Sequence, residues 1–237
     1  MTFVRSSARL DPEARVGLRL TLLLAGVAAL VLVVFPLAVL VRDGWSPLAR
    51  LDQELEAAAH RLVLSHGGLL QAARALTYLG APLVVEGIGV VVALVLLARG
   101  RRRSALYLVV CLGGGYLLST LGKVAVDRAR PVFPDAVAYA RGKAFPSGHA
   151  TGAATCWLSL ALLAAPRFTA RRRAALLVAA GLIAVVVAVT RVLLGVHYPT
   201  DVTAGLLLGW GWVLACTAVF ASPSQSAAAA AGHGPGR

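Results

Sequence analysis

The chain has 237 residues, 59% of them apolar, with a mean hydropathy of +0.79 and a formal charge of +13. Only 14% of the residues are charged, against about 25% in soluble domains, so neither a soluble globular fold nor disorder accounts for the bulk of the chain. All but two of the 23 basic residues are arginine and they fall in clusters between long apolar runs, so the charge speaks for membrane topology and against a nucleic-acid partner.

Arg5, Arg9 and Arg15 come first, in an N-terminal segment, residues 1–17, expected in the cytoplasm, with Arg19 just beyond it. The apolar run Leu18–Val41 follows and is long enough to cross a bilayer, which takes about 20 residues. No small-residue cleavage site follows it, so it reads as a span and not as a cleaved signal peptide. Residues 42–81 balance Arg42, Arg50, Arg61 and Arg74 against Asp43, Asp52, Glu54 and Glu56, as expected of an outer loop. Within that loop Leu55, Ala58, Ala59 and Leu62, then Leu69, Leu70, Ala73 and Leu76, have helical spacing broken near Gly67-Gly68. The pattern predicts two short amphipathic helices, either lying at the outer surface or packed on the bundle.

A second span, Pro82–Ala98, carries Glu86 about one turn below its outer end. An ionisable group at that depth is a candidate substrate contact or partner for an active-site cation, the alternative being a structural hydrogen bond. Arg99, Arg101, Arg102 and Arg103 fill the turn to the third span, Ala105–Leu121. Lys123, Asp127, Arg128, Arg130 and Pro131 occupy the loop after it. Phe145-Pro146-Ser147-Gly148-His149 opens the fourth span, His149–Ala165. Arg167, Arg171, Arg172 and Arg173 precede the fifth, Ala174–Thr190. Thr190-Arg191 and His197-Tyr198-Pro199-Thr200-Asp201 lead to the sixth, Val202–Ala221. Residues 222–237, rich in Ala, Ser, Gly and Pro, read as a disordered cytoplasmic tail. The expected fold is all-α: a polytopic six-transmembrane-helix bundle over residues 18–221, with its arginine clusters and both termini on the cytoplasmic side. Cys111, Cys156 and Cys216 fall inside spans without a CxxC pair, so they read as buried apolar residues and not as disulfide or zinc ligands.

The three polar clusters fall at outer span ends, where sequence-distant groups can converge on one extracytoplasmic-facing site. Lys123, Arg130 and Arg191 supply cations, two of them guanidinium forks suited to phosphate oxygens. Ser147 and Gly148 precede a helix start, where free N–H groups and the dipole favour an anion and Ser147 can also cap the helix. His197 and Asp201 are four apart around a helix start near Pro199, so the carboxylate can fix the imidazole tautomer and leave the other nitrogen free to attack. His149 can protonate a leaving oxygen. The same side chains suit a metal site, but three cations beside them would repel a metal ion. A structural reading has Arg191 snorkelling to lipid headgroups and the histidines bonded to loop backbone.

Lys123 followed by Arg130-Pro131, then Pro146-Ser147-Gly148-His149, then Arg191, His197 and Asp201, resembles the three-part signature of the type-2 phosphatidic acid phosphatase superfamily, the lipid phosphate phosphatases. The resemblance implies a metal-independent lipid phosphatase without a cofactor, acting through a phosphohistidine in the cell membrane. His197 is then the nucleophile, Asp201 its orienter and His149 the general acid, with Lys123, Arg130, Ser147, Gly148 and Arg191 holding the phosphoryl oxygens. Thr190 stands where the family often has serine, and its hydroxyl is retained. Asp127, Arg128, Arg141 and Lys143 receive no role, the alternatives being a contact with the substrate headgroup or a solvated loop. The implied partners are the bilayer and a lipid phosphate: undecaprenyl diphosphate is preferred, with phosphatidylglycerophosphate or phosphatidic acid as alternatives. A phosphotransferase, a catalytically silent lipid-binding scaffold and a transporter are the rival readings. Nothing in the sequence sets an oligomeric state.

Overall fold

A computed structural model describes residues 12–220. The tail, residues 222–237, and the first eleven residues of the N-terminal segment lie outside it. The described residues form helices without strands: α1 (Pro12–Arg42), α2 (Ser46–Ser65), α3 (Gly67–Leu76), a 3₁₀ turn (Thr77–Gly80), α4 (Pro82–Ala98), α5 (Arg102–Val126), α6 (Gly148–Ala164), α7 (Ala170–Leu193) and α8 (Pro199–Phe220). Each expected span coincides with one of these helices. By length and apolarity α5, α7, α8 and the Leu24–Arg42 part of α1 qualify as membrane spans. The Gly67–Gly80 segment and α4, bent by 41°, qualify together as one more. The outward faces are those of a chain solvated by lipid, with Leu83 85% and Val124 75% exposed.

Helix ends differ from expectation where they matter most. Lys123 and Arg191 are not loop residues: α5 continues to Val126 and α7 to Leu193. Hydropathy falls in those last turns because polar side chains face inward, not because the helix stops. Asp127, in the left-handed conformation at φ 54°, ends α5.

The pair α2 and α3, broken at His66 beside Gly67, matches the expected amphipathic helices, but α2 is turned inside out. Its buried stripe is Asp52, Glu56, His60 and Val63, while Leu51, Leu55 and Leu62 are about half exposed. The charged face lies against the α5–α6 connection and the turn between α7 and α8, where Asp52 and His60 find polar partners; His60 stacks on Phe133 and meets Asp135 at 3.0 Å. The three cysteines are buried and free.

Glycine permits the close crossing of α6 and α8. A Cβ on Gly205 would lie 2.7 Å from the Ser147 carbonyl oxygen, and one on Gly209 would lie 2.6 Å from Ala154 Cβ. Such small-residue contacts let helix backbones approach in lipid. Gly195 meets two demands at once: it turns the chain after α7 at φ +68°, and a Cβ there would press on His60 Nδ1 at 3.1 Å and on the Phe133 ring.

Gly205→Ala and Gly209→Ala are each expected to cost about 1–3 kcal/mol by overpacking the crossing. Gly181→Ala, where nothing lies within 4 Å of an added Cβ, should be neutral or stabilising by up to about 1 kcal/mol. Thermal unfolding in detergent separates the two groups; a Gly209→Ala protein melting with the wild type would show that the helices do not meet there.

Candidate active site

Four helix ends meet at one end of the bundle: the last turns of α5 and α7 and the first turns of α6 and α8. The arginine clusters of the α4–α5 and α6–α7 turns lie at the opposite ends of α5, α6 and α7. A hydrogen bond from the Ser147 N–H to the Asp201 carbonyl, 2.9 Å, joins the start of α6 to the start of α8.

At the start of α8, the Asp201 carboxylate accepts three hydrogen bonds. Its Oδ2 takes the Tyr198 N–H at 2.9 Å and faces His197 Nδ1 at 3.3 Å. Its Oδ1 takes Arg128 Nη1 at 2.8 Å. Reaching back from the third helical position to the N–H before the helix is half of a capping box, so the residue that starts α8 also orients the imidazole. The other ring nitrogen, Nε2, lies 2.9 Å from Arg130 Nη1. A guanidinium has donors only, so Nε2 accepts and Nδ1 carries the proton towards Asp201. The tautomer follows from the geometry. Burial pushes the His197 imidazole down from the usual histidine range to about 4, against the opposing pull of Asp201. The ring is therefore neutral at physiological pH, with its Nε2 lone pair held by Arg130.

The ring stands on the wall of a cavity of about 470 Å³ together with Lys123, Arg130, Gly148, His149 and Arg191. The sequence-predicted groups are thus brought together, with Asp201 behind the ring and Ser147 just off the cavity wall. Each cation is held from the side. Lys123 Nζ donates to the carbonyls of Pro146, at 2.7 Å, and Lys143, at 3.1 Å. Arg130 donates to the carbonyls of Val196, Gly142, Arg141 and Lys143. Arg191 Nη1 donates to Thr77 Oγ1 at 2.9 Å, and its buried Nε has no partner. The cavity thus concentrates positive charge on a start of α6 whose first N–H groups have no helical acceptor.

Two expectations are corrected. Ser147 stands at the N-cap position but its hydroxyl makes no capping bond; it is fully buried and unpartnered, a donor with nothing yet to bind. Glu86 makes no ion pair with an active-site cation among the described residues. It lines a second cavity of about 310 Å³, between α4, α5 and α6, which shares Pro82, Lys123 and Gly148 with the first.

Three contributors escaped the sequence reading. Thr77 and Tyr78 reach the wall from the 3₁₀ turn, whose Leu79 carbonyl is anchored by Trp157 Nε1 at 2.9 Å. Arg128 is no solvated loop residue: it pairs with Asp52 at 2.7 Å as well as with Asp201. Two basic residues spaced two apart near a motif carry no mark saying that both point inward.

A helical membrane bundle with a tautomer-locked histidine in a cationic cavity is the architecture of an anion-handling membrane protein. The chain belongs to the PAP2 superfamily, whose profile matches residues 104–223. It is 31% identical over 136 residues to phosphatidylglycerophosphatase B of Bacillus subtilis, covering 56% of this chain and 66% of that relative. It is 38% identical over 112 residues to a lipid A 1-phosphatase of Rhizobium etli, covering 44% of each chain. The matches therefore span less than two thirds of these relatives' own lengths. The crystal structure of a transmembrane PAP2-type phosphatidylglycerolphosphate phosphatase from Bacillus subtilis superposes with a TM-score of 0.73 at 26% identity, covering 80% of this chain and 93% of that one.

Histidine-selective ¹⁵N NMR in detergent should place the His197 titration near pH 4, well below the usual histidine midpoint. Asp201→Asn, by removing the anion that favours the imidazolium, should lower it further. A wild-type midpoint at or above the ordinary value would mean that Asp201 outweighs burial and that the ring is charged at rest.

Proposed function

We propose that this chain is a membrane lipid phosphate phosphatase that works without a metal, through a phosphohistidine on His197. The observation that carries the reading is the pairing of the two ring nitrogens, Nδ1 on Asp201 and Nε2 on Arg130. It keeps Nε2 unprotonated at the wall of a cavity lined by cations, where an anionic group would be drawn and would take Arg130 from the ring.

A bound phosphoryl group takes over the donors that Arg130, Arg191, Lys123, the start of α6 and the free Ser147 hydroxyl present. His197 Nε2 attacks phosphorus, the bond to the leaving oxygen breaks, and that oxygen takes its proton from His149. The Nδ1–H, held on Asp201, stays in place as the ring becomes cationic. Water then attacks phosphorus, giving its proton back to His149; the N–P bond breaks and its electron pair returns to Nε2. The fixed cations stabilise charge on the transferring group without reorganising, the usual main source of acceleration in phosphoryl transfer.

The chain would cross the membrane six times, through α1, α4, α5, α6, α7 and α8. The arginine clusters at the α4–α5 and α6–α7 turns support a cytoplasmic position for that side and for both termini, which puts the cavity on the extracytoplasmic face of the cell membrane. The second cavity, with Val85, Leu112 and Tyr116 on its wall, offers a lipid chain a place beside the phosphate, and Glu86 would contact the group between tail and phosphate. An outer-face site favours undecaprenyl diphosphate, a product of outer-leaflet chemistry. The names of the relatives favour phosphatidylglycerophosphate or lipid A 1-phosphate. Phosphatidic acid completes the set to be separated.

Purified protein in chelator should release inorganic phosphate from at least one of these four lipids. His197→Ala should lower the rate by about 10³-fold or more, as removal of a covalent nucleophile does, and acid quenching should trap phosphate on the wild-type protein but not on the variant. Turnover retained in His197→Ala, or abolished by chelator in the wild type, overturns the mechanism.

A further inference from the structure

Asp201 does not orient His197 unaided. Arg128 bridges two carboxylates, donating from Nη1 to Asp201 Oδ1 at 2.8 Å and to Thr200 Oγ1 at 2.7 Å, and from Nη2 to Asp52 Oδ2 at 2.7 Å. Asp52, on α2, is itself locked to the start of α8: its Oδ1 accepts the Thr200 N–H at 3.0 Å and its Oδ2 accepts the Thr200 hydroxyl. The guanidinium also stacks on the Tyr198 ring, 4.1 Å from its centroid, and the Tyr198 N–H is one of the donors to Asp201. Asp52 and Asp201 are buried and Arg128 is 15% exposed.

We propose that Asp52 and Arg128 are positioning residues for the reaction, a clamp that holds the Asp201 carboxylate ionised and aimed at His197 Nδ1. The inference rests on the phosphatase reading above. It also adds α2, which lies outside the matched segment 104–223, to the apparatus of the site.

Without Arg128, two buried carboxylates would face one another across Thr200 with no cation between them; one would have to be protonated or turn away. A protonated Asp201 is a poor partner for an imidazole that becomes cationic as the N–P bond forms. Next, Arg128 takes Oδ1 and the Tyr198 N–H takes Oδ2, so the carboxylate cannot rotate without breaking a charge-assisted bond. Last, neither Asp52 nor Arg128 stands on the wall of the 470 Å³ cavity. Their influence should reach the chemistry through His197, not through substrate binding. Outer-shell partners of this kind, where they have been removed around metal-bound histidines, cost about 10–100-fold.

The test compares the full-length wild type with Asp52→Asn, Arg128→Lys and Arg128→Ala, each checked for its melting temperature in detergent. Asp52→Asn, equal in size, should lower kcat by about 10–100-fold with KM changed by less than about threefold. Arg128→Ala should lose more, Arg128→Lys less, and added guanidinium should restore part of the kcat of Arg128→Ala but none to His197→Ala. In ¹⁵N spectra of histidine-labelled protein, which need no substrate, His197 should be an Nδ1–H tautomer in the wild type and a mixture in Asp52→Asn. A folded Asp52→Asn protein with wild-type kcat and an unchanged tautomer overturns the clamp, as does a loss confined to KM. Should Arg128→Ala fail to fold, Asp52→Asn alone decides. Absence of phosphate release by the wild type would count against the phosphatase reading instead, and the spectra would still judge the clamp.

Discussion

The carboxylate of Asp201 is where separate stretches of this chain are tied together. It caps its own helix through the Tyr198 N–H, faces the ring of His197, and takes a guanidinium that α2 also grips through Asp52. The backbone carbonyl of Asp201 holds Ser147, the middle residue of the Pro146-Ser147-Gly148 turn. A buried carboxylate is costly unless each oxygen finds donors, so this one dictates what must surround it. The inward-facing charges of α2, the inward turn of Arg128 and the seat of α6 on α8 all answer that requirement.

The rest of the bundle serves to bring these groups into reach. Gly205 and Gly209 let α8 lie close enough to α6 for the Ser147–Asp201 bond to form. Gly195 lets the chain turn sharply between Arg191 and His197 while the ring of His60 packs on it. Lipid supplies no hydrophobic force between helices, so small residues and satisfied polar groups carry this packing. Thr151, Thr155 and Thr190 accordingly return their hydroxyls to carbonyls of their own helices.

The thirteen excess positive charges separate into two sets with different physics. The clusters at the α4–α5 and α6–α7 turns sit at the ends of apolar helices, where a charge can reach water. At the other end Lys123, Arg130 and Arg191 are desolvated: Arg191 is only 6% exposed, and its partner on one side is a threonine. Cations confined in this way, without carboxylates against most of them, are a standing attraction for an anion. The exposed and the confined arginines look alike in composition; burial alone makes them different.

Much of this was legible in the amino-acid sequence. Apolar runs had to become helices because a backbone in lipid can satisfy itself in few other ways. Lys123, Arg130, His149, Arg191, His197 and Asp201 stood out because polar residues are conspicuous against an apolar background, and their spacing over out-and-back helices put them at one end. What the sequence could not settle was direction. That Arg128 turns inward as well as Arg130, and that α2 buries its acids and not its leucines, depends on partners 70 or more residues away. Local periodicity marks a helix face as distinct but does not say what lies opposite it. Tertiary structure decided those matters, because the energy of a buried charge is set by the donors that reach it across the fold and not by its neighbours along the chain.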